Sequence, residues 1–150
     1  MIEYSKICVD ILQYFTETTV STDEFTKKHN CTAAQLYKNI CLSVVSRVRR
    51  DIILISIPLR KRISLEKTAS FLHVEPAQIE TVQEDQLQEL TGFTKDFVPF
   101  LGVNCEHLLD NGALKYPFII SGAGEKDRYV RVDRSFYMNN ADLTLGDFVE

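Results

Sequence analysis

The feature that most constrains the fold is a pair of apolar runs joined by a short connection. Residues 40–48 are rich in β-branched side chains, and residues 52–57 form a nearly continuous apolar run. Such runs predict β-strands, and the short connection favours an antiparallel pair. Pro58 predicts the end of the second strand, because proline cannot donate a hydrogen bond to a neighbouring strand. A two-stranded antiparallel unit is therefore expected over residues 40–58.

Further helices and strands are expected on both sides of this pair. Helices are predicted at residues 3–15, from Ser21 to His29, from Thr32 through Tyr37 and Lys38, from Ser64 to Leu72, from Glu84 to Leu90, and after Asp133. Short strands are predicted at residues 79–82, 118–120 and 129–132, and residues 94–117 are predicted to be mostly loop. This mixture lacks the regular alternation of a parallel α/β protein. The expected class is α+β: a single domain over residues 1–150, with a mixed, mostly antiparallel sheet flanked by helices.

Composition excludes several classes of protein. The sequence has no apolar run long enough to span a membrane, and its first residues lack the basic region of a signal peptide. Its four cysteines are scattered without metal-ligand spacing or a disulfide framework. His29, His73 and His107 have no partner nearby in the sequence. Structural or solvent-exposed roles are favoured for His73 and His107. We therefore expect a cytoplasmic protein with reduced thiols and without a metal or cofactor.

Basic residues gather around the second apolar run, although the chain as a whole has a formal net charge of −4. Arg47, Arg49 and Arg50 precede the run, and Arg60, Lys61 and Arg62 follow it. A basic surface of this kind can bind a nucleic-acid backbone in a salt-dependent way. Charges at strand ends also protect a sheet from aggregation, and that explanation remains open.

The order of four segments resembles a known family. These segments are QLYKNICLSVV, RISLEKTASFLHV, QEDQLQELTGFTKDFVPFLG and YPFIISGAGEKDRYVRVD. Together they are similar to the YbaK/prolyl-tRNA-synthetase-associated domain, a family of trans-editing aminoacyl-tRNA deacylases. The resemblance runs from about residue 30 to the C-terminus and implies the YbaK-type editing fold.

The resemblance implies roles for particular residues. Lys38 matches the lysine that holds the terminal adenosine of tRNA, and it and Gly122 are the candidate catalytic positions. Asn39 is a candidate substrate-binding residue, and the Gly/Pro loop at residues 96–102 would orient the ester through Phe97, Pro99 and Gly102. The turn formed by Ser121, Gly122 and Ala123 would contribute backbone amides. The basic residues, extended by Arg128, would bind the tRNA.

The implied function is hydrolysis of a mischarged aminoacyl-tRNA carrying a small amino acid, such as Cys or Ala on tRNA(Pro). An aminoacyl ester is labile, so an enzyme need only position water and stabilise the developing oxyanion, which backbone N–H groups can do. The implied partner is the aminoacylated 3′ end of tRNA. The sequence leaves open whether the domain acts freely or docks on an aminoacyl-tRNA synthetase.

Some positions depart from the family pattern and motivate alternatives. Asn39 stands where a small hydroxyl residue is usual, Asp96 and Phe97 lie in a region that normally carries glycine, and Ala123 replaces a glycine. A bulky side chain in the loop would narrow the pocket. The first alternative is therefore a catalytically inactive module of the same fold that binds tRNA or a synthetase. A second is a soluble domain whose basic residues meet another anionic partner, with Lys38 merely solvated and both glycine-containing segments serving only as turns.

Overall fold

One mixed sheet organises the protein. The structure is a computed structural model that describes residues 12–18, 20–94 and 97–150. Eight strands run through these residues: β1 (Leu12–Thr16), β2 (Leu36–Val45), β3 (Arg50–Pro58), β4 (Ile79–Thr81), β5 (Glu106–Asp110), β6 (Phe118–Gly122), β7 (Arg128–Asp133) and β8 (Leu143–Gly146). The α-helices of the same residues are α1 (Thr22–Lys28), α2 (Leu65–Leu72), α3 (Glu84–Thr91) and α4 (Arg134–Asn139). The predicted α+β class with a mixed sheet is confirmed.

The central pair of strands is antiparallel, as predicted. β2 and β3 pair over nine positions, from Tyr37 opposite Pro58 to Val45 opposite Arg50. β2 begins earlier than predicted, because the capping box of Thr32 and Gln35 encloses only a 3-10 helix, Ala33–Gln35. Tyr37 and Lys38 therefore lie in a strand, and the prediction that a helix carries them is wrong.

The sheet has a gap beside β2. The strand order is β1-β7-β6-β2-β3-β5-β8, and β4 also pairs with β2, on the side away from β3. β6 pairs with β2 at Leu36 and Tyr37, and β4 pairs with it at Leu42–Val44. No described strand pairs with residues 38–41 on that side. A short length of β2 is therefore an edge strand within the sheet.

Helices cover both faces of the sheet. Adjacent residues of β2 point to opposite faces, because side chains alternate along a strand. Leu42 packs in a cluster with Ala69 of α2, whereas its neighbour Cys41 packs with Leu87 of α3. The two helices therefore lie on opposite faces, and α3 lies on the face of Cys41.

Two further predictions of secondary structure are corrected, and one strand was missed. The helix predicted at residues 3–15 is wrong for Leu12–Phe15, which belong to a strand that pairs with β7; residues 3–11 lie outside the described residues. The apolar spacing there also suits a strand once a partner is available. The loop predicted at residues 94–117 contains β5 and a following 3-10 helix, Asn111–Lys115. The strand β8 was not predicted.

Most other element boundaries agree with the local signals, although β2 ends at Val45 and not at Val48. Ser21 and Ser64 each accept a hydrogen bond from a backbone N–H in the first turn of the following helix. Gly92 ends α3 in the left-handed conformation, which glycine adopts without strain. Asp133 precedes α4 as expected, but its side chain makes no capping bond and contacts Arg131 instead. Among the described residues, none of the helices is long and apolar enough to cross a membrane.

Candidate functional site

A cavity of about 390 Å³ lies at the gap between β6 and β4. Three residues predicted to be functional line it: Lys38, Asn39 and Gly122. The rest of its wall is mostly apolar and consists of Tyr37, Ile40, Cys41, Leu59, Thr81, Val82, Leu87, Val98 and Tyr129. The interrupted pairing of β2 thus creates a concave site whose polar residues come from the strand edge itself.

The open edge of β2 presents backbone groups to this gap. The carbonyl oxygens of Tyr37 and Val45 both accept bonds on this side of β2, from Ser121 Oγ and Gln78 Nε2. Backbone groups alternate in direction along a strand, so those of Asn39 point the same way. Asn39 lies between the two pairings of this edge, and its N–H and C=O therefore face the gap.

Lys38 is half-buried in the cavity wall. Within the part of the chain that the structure describes, no acidic side chain forms an ion pair with it. Its ammonium group is therefore available to an anionic ligand, and it is a compact point charge well suited to a phosphate or an oxyanion.

Asn39 connects three parts of the site. Its side-chain Nδ2 donates to the backbone carbonyl of Val98 at 3.0 Å and to Ser121 Oγ at 2.9 Å. Its Oδ1 accepts from Ser56 Oγ at 2.6 Å. The Asn39 amide therefore ties the loop around Val98 to strands β2, β3 and β6.

His107 lies behind this amide. Its Nε2 is 2.7 Å from Ser56 Oγ, and the edge of its ring packs on Phe100, with ring centroids 4.9 Å apart. Burial lowers the pKa of His107 to about 3, so the imidazole is neutral. This chain of contacts runs from the sheet interior to the cavity wall.

Cys41 is the thiol of the cavity wall, but its chemistry is not that of a nucleophile. Burial raises the pKa of Cys41 to about 12, with a smaller contribution from Cys105. The thiolate, not the thiol, is the reactive form. Across residues 12–18, 20–94 and 97–150, no three His, Cys, Asp or Glu side chains form a group that could hold a metal ion.

The Gly/Pro loop contributes to the cavity through Val98. Asp96 lies outside the described residues. Phe97 is 38% exposed and is not part of the cavity wall. Pro99 is buried against Gly124, and Gly102 lines a different cavity, next to His107. Of the predicted loop positions, the structure therefore brings none into the cavity, and the neighbouring Val98 was missed.

The turn after β6 is fastened to the loop. Gly122 O accepts from the backbone N–H of Phe100 at 3.0 Å, and Ser121 Oγ donates to the carbonyl of Tyr37 at 3.0 Å. Ala123 is buried, and its N–H donates to Arg128 O at 3.0 Å. Gly122 is therefore the turn residue at the cavity, while the amide of Ala123 is already used within the hairpin.

A second cavity of about 270 Å³ adjoins the first. Both are lined by Tyr37, Leu59, Gly122 and Tyr129. Phe25 extends the aromatic wall of the second cavity, with its ring centroid 5.1 Å from that of Tyr129. An apolar, aromatic wall of this kind suits a flat heterocycle.

The predicted basic residues fall into two groups at opposite ends of the β2–β3 pair. Arg47, Arg49 and Arg50 surround the hairpin turn, where Arg49 pairs with Asp51 at 3.0 Å and Arg50 with Glu80 at 3.6 Å. We call this set the hairpin group. Arg60, Lys61 and Arg62 follow β3 and form the second set, the distal group, for which no ion pair occurs among the described residues. Arg128 lies 3.8 Å from Glu125, at the start of β7.

Sequence reasoning missed Ser56, His107 and Tyr129 as parts of this region. A signal existed for Ser56, because it is the only polar residue in the apolar run of residues 52–57. A hydroxyl in such a run needs a hydrogen-bond partner once it is buried. His107 was difficult to place because its strand was not predicted.

Comparison with known proteins relates the chain to one family. The sequence family described as the aminoacyl-tRNA editing domain matches residues 16–137. No curated protein matches the chain.

Solved structures share the fold at low sequence identity. A protein provisionally assigned as a trans-editing enzyme for prolyl tRNA synthetase is 19% identical, with a TM-score of 0.73 over 93% of this chain and 87% of that one. The hypothetical protein APE2540 is 14% identical, with a TM-score of 0.76 over 93% of this chain and 91% of that one. A scaffold used for computational epitope grafting is 18% identical, with a TM-score of 0.74 over 93% and 86%. These likenesses show the fold.

Proposed function

Because the chain belongs to the aminoacyl-tRNA editing domain family, we propose that it hydrolyses the ester bond of a mischarged tRNA carrying a small amino acid, such as Cys or Ala on tRNA(Pro). The observation that carries the proposal is the convergence of Lys38, Asn39 and Gly122 on one cavity. Lys38 and Asn39 are adjacent in β2, whereas Gly122 is more than 80 residues away in the sequence. The pairing of β6 with β2 brings Gly122 to the same cavity.

The proposed reaction needs no protein nucleophile. A water molecule attacks the ester carbonyl, the bond from that carbon to the ribose oxygen breaks, and the ribose oxygen takes up a proton. The products are the free amino acid and the uncharged tRNA. The ribose hydroxyl next to the ester assists in positioning the water, as the family resemblance implies.

Charge stabilisation is assigned to the edge of β2. The backbone N–H of Asn39 faces the gap and can donate to the developing oxyanion, and Lys38, which carries a positive charge, lines the same cavity. Val98 and Leu87 cover this region with apolar surface, which strengthens electrostatic interactions by excluding water.

The cavity wall supports a small, neutral amino-acid side chain. Its volume of about 390 Å³ must hold the reacting part of the ribose as well as the amino acid. Cys41, Val82 and Val98 form an apolar floor, which suits a small uncharged side chain, and Lys38 is the charged residue of the wall. We assign the terminal adenine to the adjoining cavity, against Phe25 and Tyr129.

The alternative of an inactive module rested on Asp96 and Phe97, of which only Phe97 is among the described residues. That side chain is outside the cavity wall, so it does not close the cavity. A non-catalytic module that binds tRNA or a synthetase predicts a different result. Such a module would bind tRNA but would hydrolyse no aminoacyl-tRNA.

The test is single-turnover deacylation of a panel of small aminoacyl-tRNAs, including Cys- and Ala-tRNA(Pro). The wild type is compared with Lys38→Ala and with Lys27→Ala, which removes an exposed lysine from α1. Hydrolysis by the wild type and by Lys27→Ala, but not by Lys38→Ala, is the expected result. Binding of tRNA without hydrolysis across the panel would favour the inactive module, and absence of binding at low salt would reject both tRNA functions.

A further inference from the structure

The hydrogen-bond partners around Asn39 allow only one orientation of its side-chain amide. Asn39 Nδ2 has two hydrogens, and both have acceptors, the Val98 carbonyl and Ser121 Oγ. Ser121 Oγ donates its own hydrogen to the Tyr37 carbonyl, so it can only accept from Asn39. A flipped amide would place Oδ1 against the Val98 carbonyl oxygen, with two acceptors facing each other. Oδ1 must therefore face Ser56.

The same reasoning fixes the tautomer of His107. Ser56 Oγ has one hydrogen, and Asn39 Oδ1 accepts it at 2.6 Å. The contact of 2.7 Å between Ser56 Oγ and His107 Nε2 then requires a hydrogen on Nε2. His107 is therefore the donor at the start of a directional chain that passes through Ser56 to Asn39.

The hydrogen bonds from His107 through Ser56 to Asn39 are costly to break because they are buried. The side chain of Ser56 is fully buried, and His107 is 6% exposed. A buried polar atom that loses its partner keeps the desolvation penalty without the bond. Parallel pairing of β5 with β3 holds His107 two strands away from the cavity, so it does not touch a ligand there.

We propose that Ser56 and His107 are positioning residues: they hold the Asn39 amide in the one orientation that fixes the Val98 carbonyl against β2. The hydrogen bond from Asn39 to the Val98 carbonyl thereby sets the distance between the loop that lines the cavity and the edge of β2 that carries Lys38. The part of the inference that concerns turnover rests on the proposed deacylase function, whereas the orientation of the amide does not.

The first test is independent of activity. Nitrogen-15 NMR of the histidine rings should show His107 with its proton on Nε2 and without titration between about pH 5 and 8. The two Nδ2 hydrogens of Asn39 should exchange slowly in the wild type and at least about tenfold faster in Ser56→Ala, because Oδ1 then loses its partner. A proton on Nδ1, or unchanged exchange in Ser56→Ala, would overturn the inference.

The second test asks whether Ser56 acts through Asn39. Ser56→Ala should lower kcat by about tenfold in the wild-type background and by less than about twofold in an Asn39→Ala background. His107→Leu should reduce kcat by less than Ser56→Ala does, and His107→Gln should recover activity, because its side-chain amide supplies a donor near the position of Nε2. An equal loss in both backgrounds would show that Ser56 does not act through Asn39.

Thr68→Val is the matched control for stability. Thr68 is also fully buried and donates one hydrogen bond, to Ser64 O at 2.8 Å in α2. This substitution also removes a buried hydroxyl, and it should leave kcat and the exchange of the Asn39 amide unchanged. If the wild type deacylates no substrate, the proposed function fails, but the tautomer and the amide exchange still decide the inference.

Discussion

Lys38 lies directly opposite Ile57 in the β2–β3 pair, at the end of the hairpin that leads into the distal group. The hairpin group lies at the other end, where Arg50 is opposite Val45. Seven residues of strand separate the two levels, roughly 23 Å at about 3.3 Å per residue. The basic residues that are clustered in sequence therefore form two separate groups, and only the distal group lies at the same end of the pair as Lys38.

The first prediction follows from this separation. Reversing Arg60 and Arg62 to Glu should weaken tRNA binding and reduce the salt dependence of log K by about 1 for each phosphate that the protein no longer neutralises. Reversing Arg49 and Arg50 should have a smaller effect, because these side chains already pair with Asp51 and Glu80. Binding isotherms at several salt concentrations measure both, and a larger effect from the hairpin group would place the tRNA elsewhere.

The second prediction concerns access to the cavity. Phe97→Ala should change kcat/KM by less than about twofold, because Phe97 is absent from the cavity wall. Gly122→Val should lower kcat/KM by more than about tenfold, because Gly122 lines both cavities and a branched side chain would project into them. The two variants are assayed on the same aminoacyl-tRNA. A strong loss in Phe97→Ala would mean that the loop closes over the substrate.

The third prediction is a pH dependence of stability. Burial lowers the pKa of His107 from 6.5 to about 3, so below about pH 6.5 the unfolded chain binds a proton that the folded chain does not. The corresponding stability is complete above that pH and is lost as the pH falls toward 3, at up to about 1.4 kcal/mol per pH unit.

Urea unfolding of the wild type and of His107→Gln between about pH 5 and 7 measures this contribution. Glu17 and His29 are present in both proteins, so the difference between the two slopes isolates His107. Parallel slopes would show that folding leaves the pKa of His107 unchanged.

The fourth prediction compares two glycines with positive φ. At Gly124, φ is +92° and an added Cβ would lie 2.9 Å from Phe93 Cε1; at Gly92, φ is +79° and nothing lies within 4 Å. Gly92→Ala should lower the free energy of unfolding by about 1 kcal/mol, the cost of the left-handed backbone alone. Gly124→Ala should lower it by about 2–3 kcal/mol because the close approach to Phe93 adds to that cost. Equal losses would mean that Phe93 moves away freely.

Local signals predicted the elements whose boundaries depend on local chemistry. Ser64 and Gly92 mark helix ends through bonds or backbone angles of their own residues. The β2–β3 pair followed from two runs and a short connection. Two strands, Leu12–Thr16 and Glu106–Asp110, form because strands that are distant in the sequence pair with them. A local sequence pattern does not indicate such a distant partner.

The candidate site, too, could be predicted only in part. The resemblance to a family selected Lys38, Asn39 and Gly122, which the structure brings to one cavity. It also selected Phe97, Gly102 and Ala123, which lie outside that cavity. Whether a loop residue faces a cavity depends on the alternation of side chains and on the anchoring of Val98 by Asn39, and both depend on the assembled sheet.

The interruption of pairing along β2 also divides the sheet mechanically. β6, with β7 and β1 beyond it, is joined to β2 by only two paired positions, Leu36 with Ile120 and Tyr37 with Ser121. The joint between β2 and β3 has nine. From the number of paired positions, we expect the two parts of the sheet to separate along the seam beside the cavity under tension or partial denaturation. A ligand that contacts both Gly122 and the edge of β2 would hold the two parts of the sheet together. Binding in the cavity should therefore make the whole domain more resistant to unfolding.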